Sequence, residues 1–328
     1  MPYQSERKAA IESVLKACTL CEAVRATFHS KEVLKKKDRS PVTIADFGAQ
    51  AVISHHLALS FPKDPLVAEE ASGMLREKEN AELKDLVTNH VKRIIPKLSD
   101  DEVLAAIDRG AGEGGGKGRF WTLDPIDGTK GFLRGCQYAV ALALVEDGEV
   151  VVGVLGCPNL PLHGSEPHGQ TGCLFVAVRG EGAAMKGFMD SLEQKIEVAN
   201  TNRPADVQFC ESVESSHSSH QHSAQIAECL GVTKPPVRMD SQCKYGMVAR
   251  GDAAIYLRLP TRQSYMETVW DHAAGSIVVE EAGGKVTDME GKPLNFSLGR
   301  ELTGNRGIVV TNGGLHDQVL RAVEQVFH

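Results

Sequence analysis

The spacing of hydrophobic residues predicts a chain that is helical at its start. Apolar side chains recur every three or four positions in residues 5–28, 43–60 and 79–95, as expected for helices with one buried face. Ser99 and Glu102 have the spacing of a capping box, and they predict a further short helix that ends near residue 110. The first hundred residues therefore indicate a largely helical region.

The pattern changes to that of strands after a glycine-rich loop. Four apolar, β-branched segments follow, and the sequence EDG between two of them is typical of a hairpin turn. These segments predict an antiparallel sheet, and they are residues 120–124, 138–145, 149–156 and 173–179. From about residue 200, apolar runs alternate with helical stretches at 219–230, 271–282 and 314–327, which is typical of a layered α/β unit.

Length and charge limit the class of protein. A chain of 328 residues exceeds the size at which single cores stop growing, about 250–300 residues. We therefore expect two domains, residues 1–199 with the helices and the antiparallel sheet, and residues 200–328 as a smaller α/β domain. The formal net charge of −7 and the lack of a basic run argue against a nucleic-acid polymer as a partner.

The apolar runs are too short for a membrane protein. The longest, at 138–145, could not span a bilayer, and the first residues lack the pattern of a signal peptide. We expect a soluble, cytoplasmic protein, and we expect it to be a monomer that acts on a small molecule.

Candidate chemistry is concentrated directly after the first apolar strand of the predicted sheet. In the sequence DPIDGT, a tight turn brings the carboxylates of Asp124 and Asp127 together with the carbonyl of Ile126. Oxygen ligands of this kind favour Mg²⁺ or Mn²⁺ over zinc. Gly128 and Thr129 follow as a predicted helix start, where backbone N–H groups favour an anion such as phosphate. The segment therefore predicts a turn that binds metal and phosphate.

More acidic residues are expected near this turn. Two carboxylates about 4 Å apart repel by about 4 kcal/mol at an effective dielectric of about 20, so a cluster of them needs cations. The candidates are Glu69 and Glu70 at the end of an apolar strand, Asp271 at the start of an apolar helix, and Asp46 among small and apolar residues. Each has another interpretation: Asp271 as a helix N-cap, the glutamates as a solvated strand end, and Asp46 as an exposed helix position. The complete set is what indicates a metal site.

Three motifs together resemble a known enzyme family. WTLDPIDGTKGF, DPLVAEE and WDHAAG resemble the lithium-sensitive, magnesium-dependent phosphomonoesterases that include inositol monophosphatase, inositol polyphosphate 1-phosphatase and fructose-1,6-bisphosphatase. Within that superfamily, SPVTIADFGAQ, HSSH, DSQCKYG and YLRLP are similar to the 3'(2'),5'-bisphosphate nucleotidases of fungi and plants. The resemblance implies an α/β (α+β) fold built as a layered α-β-α-β-α sandwich.

The resemblance also implies roles for individual residues. The implied metal ligands, which would hold two or three Mg²⁺ ions, are Glu69, Asp124, Asp127, Asp271 and the carbonyl of Ile126. Mn²⁺ could replace Mg²⁺, and Li⁺ would inhibit. Asp46 and Thr129 would take the proton from the attacking water, and Glu70 would lie beside the ligands.

The implied reaction removes the 3'-phosphate from adenosine 3',5'-bisphosphate, or from 3'-phosphoadenosine 5'-phosphosulfate. The residues expected to contact the substrate are Gly128, Thr129, His217, Ser241, Lys244 and Arg258. Lysine and arginine suit a phosphate that the product retains, although by residue type alone both would be surface charges. The neighbouring histidines lack paired ligands at zinc spacing, so only His217 is kept, as a nucleotide contact.

Two other functions stay open. One is a phosphatase of the same superfamily that acts on inositol 1-phosphate or inositol 1,4-bisphosphate. The other is a catalytically silent nucleotide sensor. The presence of every expected acid and of Thr129 argues against the sensor.

Overall fold

The computed structural model describes residues 2–27, 33–35, 41–164, 169–214, 219–260 and 266–327. The helices of this part of the chain are α1 (Gln4–Ala26), α2 (Ile44–Ser60), α3 (Ala81–Ile94), α4 (Asp100–Asp108), α5 (Thr129–Arg134), α6 (His220–Leu230), α7 (Cys243–Ala249), α8 (Ala273–Glu281) and α9 (His316–Phe327). The strands are β1 (Val33–Lys35), β2 (Pro41–Thr43), β3 (Leu66–Ala68), β4 (Arg119–Asp127), β5 (Ala139–Glu146), β6 (Glu149–Pro161), β7 (Thr171–Val178), β8 (Gly182–Gly187), β9 (Gln194–Lys195), β10 (Phe209–Glu211), β11 (Val237–Arg238), β12 (Ile255–Arg258), β13 (Lys285–Thr287) and β14 (Ile308–Thr311). The long helices, the capping box at Ser99 and the strands β4 to β7 match their predictions.

The larger sheet contains seven strands in the order β3-β4-β5-β6-β7-β8-β9. Strands β4 to β7 pair antiparallel, as predicted, whereas β3 joins the edge parallel to β4. Ala68 pairs with Leu123, so the next residues, Glu69 just after β3 and Asp124 within β4, lie side by side at this edge of the sheet. Parallel pairing of two short strands therefore brings the first two acidic segments together.

Helices and a second sheet cover the two faces of the larger sheet. On one face, α1 and α2 pack against β4, β5 and β6, with α3 and α4 beside them. On the other face, α7 and α8 separate the larger sheet from a five-stranded sheet in the order β11-β10-β12-β14-β13. Helices α6 and α9 cover the outer side of that second sheet. The layers run α-β-α-β-α, which confirms the predicted fold class.

The central strand β5 shows why its sequence is a continuous apolar run. Every residue from 139 to 145 is buried, because helices pack on both faces of the sheet at this point. A strand with one solvated face would alternate apolar and polar residues instead. The run at 138–145, which is too short to cross a membrane, is therefore a core strand. No helix in the described ranges is long and apolar enough to cross a membrane either.

Helix α7 is the main element that the apolar pattern does not predict. All seven of its residues are buried, so it has no polar face and no helical alternation. A Cβ atom at Gly246 would lie 2.7 Å from the ring of Phe175, so this glycine permits the close contact between α7 and the larger sheet. The division of the chain into domains at residues 1–199 and 200–328 stays a prediction.

Candidate metal and phosphate site

The turn at the end of β4 carries the first two acids of the site. The pairing of β4 with β5 shifts register between Asp124 and Asp127, so the chain bulges there. The backbone N–H of Ile126 donates to Oδ1 of Asp124 at 3.1 Å, and Gly128 then adopts a left-handed conformation with φ 85°. Glycine is favoured at such a φ because it has no Cβ atom.

Three aspartates meet at this turn. Asp124, Asp127 and Asp271 each offer a carboxylate oxygen, and these oxygens lie within 4.8 Å of one another. Burial, followed by the negative charge of Glu69, raises the pKa of Asp124 well above its ordinary value. Burial, followed by the charge of Asp271, raises the pKa of Asp127 to about 7. The cluster is therefore electrostatically strained without a cation, and its oxygen-only donors fit a hard divalent metal ion.

A neighbouring group of acids is already neutralised by the protein. Glu267 lies 2.8 Å from Nε of Arg258 and 3.0 Å from Nε2 of His272. Burial alone would raise the pKa of Glu267, but Arg258 and His272 outweigh burial and lower it. Arg258 also reaches Asp271, with Nη2 3.1 Å from Oδ2. The two acid groups share Asp271, and the raised pKa values are those of Asp124 and Asp127, so a cation would relieve the strain of the aspartate cluster in particular.

Asp46 and Thr129 come together, as the sequence predicts. Oδ2 of Asp46 accepts hydrogen bonds from the backbone N–H and the hydroxyl of Thr43, at 2.8 and 2.6 Å, in a capping box that starts α2. The hydroxyl of Thr129 lies 3.4 Å from the other oxygen, Oδ1, and 3.3 Å from the carbonyl of Ile126. Asp46 is 1% exposed, which excludes its interpretation as an exposed helix position.

The two glutamates after β3 differ in their surroundings. Glu69 is half-buried, and its charge acts on Asp124. Glu70 is buried, and Gln50 binds both of its backbone groups: Oε1 accepts from the Glu70 N–H at 3.0 Å, and Nε2 donates to the Glu70 carbonyl at 2.7 Å. Glu70 is therefore not part of a solvated strand end.

The described residues that are expected to contact the nucleotide lie close to the β4 turn and its aspartates. A Cβ atom at Gly128 would lie 2.9 Å from the Cβ of Ser241, so these two backbones are in close contact. Lys244 is buried, and its ammonium group donates to the carbonyls of Met239 and Ser241, at 3.1 and 2.7 Å. Arg258 is buried too, so neither cation is an ordinary surface charge. His217 lies outside the described residues.

Two polar residues at the site, the buried Gln242 and the half-buried Arg300, were not predicted as functional. Gln242 bonds to both Asp127 and the segment around Asp271. Arg300 donates to the carbonyl of Ala68 at 2.6 Å, and its guanidinium lies 4.8 Å from the Trp270 ring centroid. Gln242 stands within the DSQCKYG motif, but residue type and spacing do not reveal what its amide contacts.

Solved structures share this architecture. An inositol monophosphatase from Anabaena sp. has a TM-score of 0.64 and 21% identity, with 98% of this chain and 96% of that chain covered. The IMPase of Thermotoga maritima has a TM-score of 0.66 and 23% identity, with 97% and 96% covered. At these identities the likeness concerns the fold. The fold therefore defines the class of architecture, the layered α/β sandwich of the inositol monophosphatases, with an acid cluster at the end of β4.

The family follows from the sequence comparison. The profile of the inositol monophosphatase family matches residues 3–328, and the chain belongs to this family. A protein of Oryza sativa named 3'(2'),5'-bisphosphate nucleotidase is 47% identical, with 98% of this chain and 94% of its own length covered. A protein of Schizosaccharomyces pombe with the same name is 43% identical, with 99% and 97% covered. The predicted resemblance is confirmed.

Proposed function

We propose that this protein is a metal-dependent phosphomonoesterase that removes the 3'-phosphate of adenosine 3',5'-bisphosphate, giving AMP and inorganic phosphate. The observation that carries the proposal is the identity of 42–47% to curated 3'(2'),5'-bisphosphate nucleotidases over nearly the whole chain. The aspartate cluster beside the Thr129–Asp46 pair provides the chemical groups for such a reaction. The same reaction on 3'-phosphoadenosine 5'-phosphosulfate would give adenosine 5'-phosphosulfate.

The proposed metal ligands come from the β4 turn, the segment after β3 and the start of α8. They are Glu69, Asp124, the carbonyl of Ile126, Asp127 and Asp271. Glu70 is proposed to lie beside the ligands without binding the metal. Mg²⁺ is the proposed ion, in two or three copies, because every donor is an oxygen atom. When bound, Mg²⁺ supplies positive charge that neutralises the phosphate oxygens and acidifies a water molecule. Mn²⁺ in place of Mg²⁺ and inhibition by Li⁺ belong to the same proposal.

Asp46 and Thr129 are the proposed proton acceptors. Thr43 donates two hydrogen bonds to one oxygen of Asp46, so the other oxygen is held toward the Thr129 hydroxyl. That hydroxyl can donate its proton to Asp46 while it accepts one from the attacking water. A carboxylate fixed in this way acts as a general base through the threonine.

The proposed substrate contacts are the residues beside the turn, namely Gly128, Thr129, His217, Ser241, Lys244 and Arg258. Burial and Asp271 raise the pKa of Asp127, and the positive charges of Lys244 and Arg258 offset part of this rise, which supports a role for both in the electrostatics of the site. The Lys244 ammonium already donates to two carbonyls. We therefore propose that Lys244 contributes to substrate binding in two ways, through its positive charge and by holding the turn at residues 239–241 in shape.

Phosphate release tests the proposal. Adenosine 3',5'-bisphosphate, inositol 1,4-bisphosphate and inositol 1-phosphate are supplied side by side, each with Mg²⁺ and with EDTA. We expect Mg²⁺-dependent release mainly from the nucleotide. Release mainly from an inositol phosphate would be consistent with the proposed metal ligands, but it would contradict the proposed nucleotide contacts. No release from any of them would favour the silent sensor.

Two properties of the whole protein belong to the proposal. We expect a monomer, which light scattering of the purified protein tests. We expect a cytoplasmic location, which microscopy of the tagged protein in its own cells tests.

A further inference from the structure

Gln242 is a buried glutamine whose backbone N–H and side-chain amide bond to other parts of the site, while its carbonyl accepts the ordinary bonds of α7. Its side chain is 2% exposed, and it stands at the N-cap position of α7. It makes no side-chain capping bond to that helix. The local structure of α7 therefore does not explain why a glutamine is buried here.

The backbone of Gln242 holds the β4 turn. Its N–H donates to Oδ2 of Asp127 at 2.6 Å. The preceding residue, Ser241, has a φ of 67°, a left-handed conformation that is uncommon for a residue with a side chain. Lys244 holds this turn by donating to the carbonyls of Met239 and Ser241. These bonds of Lys244 fix the turn before Gln242, and with it the direction of the Gln242 N–H.

The side chain of Gln242 holds the segment around Asp271. Nε2 donates to the carbonyl of Trp270 at 2.9 Å, and Oε1 accepts from the N–H of Gly275 at 3.0 Å. These two backbone groups stand on either side of Asp271. His272, the N-cap residue of α8, makes no side-chain capping bond, so Gln242 satisfies a first-turn N–H of a helix that lacks a local cap.

We propose that Gln242 is a positioning residue that fixes Asp271 relative to Asp127 and thereby sets the metal affinity of the site. The inference rests on the proposed function, because it takes the aspartate cluster as the metal site. One residue holds both segments, so a displacement of Asp271 would break two hydrogen bonds of a buried amide. Loss of such outer partners of metal ligands typically costs about 10–100-fold in affinity or activity.

Asn312 offers a matched control. It is also a buried amide that joins separate backbone segments: Nδ2 donates to the carbonyls of Ala199 and Thr201 at 2.8 and 2.7 Å, and Oδ1 accepts from the N–H of Leu315 at 3.2 Å. Its bonds do not involve the proposed metal ligands. Asn312→Leu and Gln242→Met each remove a buried amide while keeping a side chain of similar size.

Mg²⁺ alone is the probe, added to the full-length, EDTA-treated and dialysed protein in a calorimetric titration without substrate. We expect Gln242→Met to bind Mg²⁺ at least about 10-fold more weakly than wild type, and Asn312→Leu to bind within about twofold of it. The melting temperature of each variant measures its loss of stability separately. If Gln242→Met does not fold, Gln242→Asn decides, because its shorter side chain cannot keep both bonds.

The outcomes separate this inference from the proposed function. Wild-type protein that binds no Mg²⁺ would overturn the proposed metal site and this inference with it. Tight binding by wild type and equal binding by the Gln242 variants would overturn the positioning role alone. Equal loss of affinity in Asn312→Leu would also overturn it, since general loosening of the fold would then explain the effect.

Discussion

The hydroxyl of Thr129 lies 3.4 Å from the carboxylate of Asp46, across the contact between the start of α2 and the start of α5. Asp46 cannot turn away, because Thr43 binds its other oxygen twice. A helix cap and a candidate general base are thus the same side chain. This double role gives a first prediction.

Thr129→Val should lower kcat by about 10²–10⁴-fold, because it removes the hydroxyl that we propose passes a proton to Asp46. Thr129→Ser, which keeps the hydroxyl, should restore most of the rate. Steady-state phosphate release with saturating Mg²⁺ measures both. Equal loss in the valine and serine variants would contradict the proton transfer and point to packing instead.

Asp127→Asn should abolish turnover and also remove the stabilisation that Mg²⁺ gives to the protein. The aspartate is strained when ionised, since its pKa is raised to about 7, so at pH 8 the metal-free variant should melt higher than metal-free wild type. Thermal melts with Mg²⁺ and with EDTA measure both effects. Asp147→Asn, in the hairpin turn between β5 and β6, is the control and should respond to Mg²⁺ like wild type. A normal Mg²⁺ response of Asp127→Asn would refute its role as a ligand.

Arg300→Met should weaken Mg²⁺ binding by about 10-fold or more. Arg300 donates to the carbonyl of Ala68, directly before Glu69, and stacks on Trp270, directly before Asp271, so it ties together two segments that carry proposed ligands. Titration of the metal-free protein with Mg²⁺ measures the affinity.

The control for Arg300 is Arg250→Met. Arg250 also donates to a backbone carbonyl, that of Pro161, and pairs with Asp252, but it lies away from the acid cluster. We expect this variant to lose stability and to keep its Mg²⁺ affinity. Similar losses of affinity in both arginine variants would indicate a general effect on the fold.

The stability of the protein should fall as the pH drops from about 6.5 to about 4, in part because of His316. Burial, followed by the positive charge of Lys285, lowers the pKa of this histidine to about 4, and its ring nitrogens lie 3.0 and 2.9 Å from the hydroxyls of Thr287 and Thr311. Between the two pKa values the unfolded chain binds a proton that the folded protein does not, so acid favours unfolding, by up to about 3 kcal/mol at the lower end.

Denaturant unfolding at a series of pH values measures this contribution. His316→Gln, which can bond both hydroxyls without titrating, should flatten the profile between pH 4 and 6.5. His163→Gln changes an exposed histidine and should leave the profile as it is. A profile of His316→Gln that matches wild type would refute the assignment.

Much of the fold could be predicted from the sequence, because its signals are local. Helix α2 and strand β5 follow from spacing and from a continuous apolar run, and Asp124 and Asp127 stand in a turn that a few residues define. Helix α7 was missed because burial on all sides removes the polar face that would reveal a helix.

The supporting residues of the site could not be predicted in the same way. Gln242 and Arg300 act through backbone groups that are distant in the sequence, and a backbone carbonyl leaves no mark on residue type. Likewise, Lys244 and Arg258 have ordinary charged side chains in the sequence, and only the packing of α7 and β12 reveals that they are buried.

The acid cluster combines residues that are far apart in the chain: Asp124 and Asp127 belong to β4 of the larger sheet, whereas Asp271 follows β12 of the second sheet. This order matters during protein synthesis. When the ribosome has delivered β9, the chain already contains Asp46, Asp124 and Asp127, but Asp271 and its partner Arg258 have not been made. A chain that ends before β12 therefore carries the carboxylates of β4 but lacks Asp271 and Arg258, and on the proposed function we expect it to be inactive.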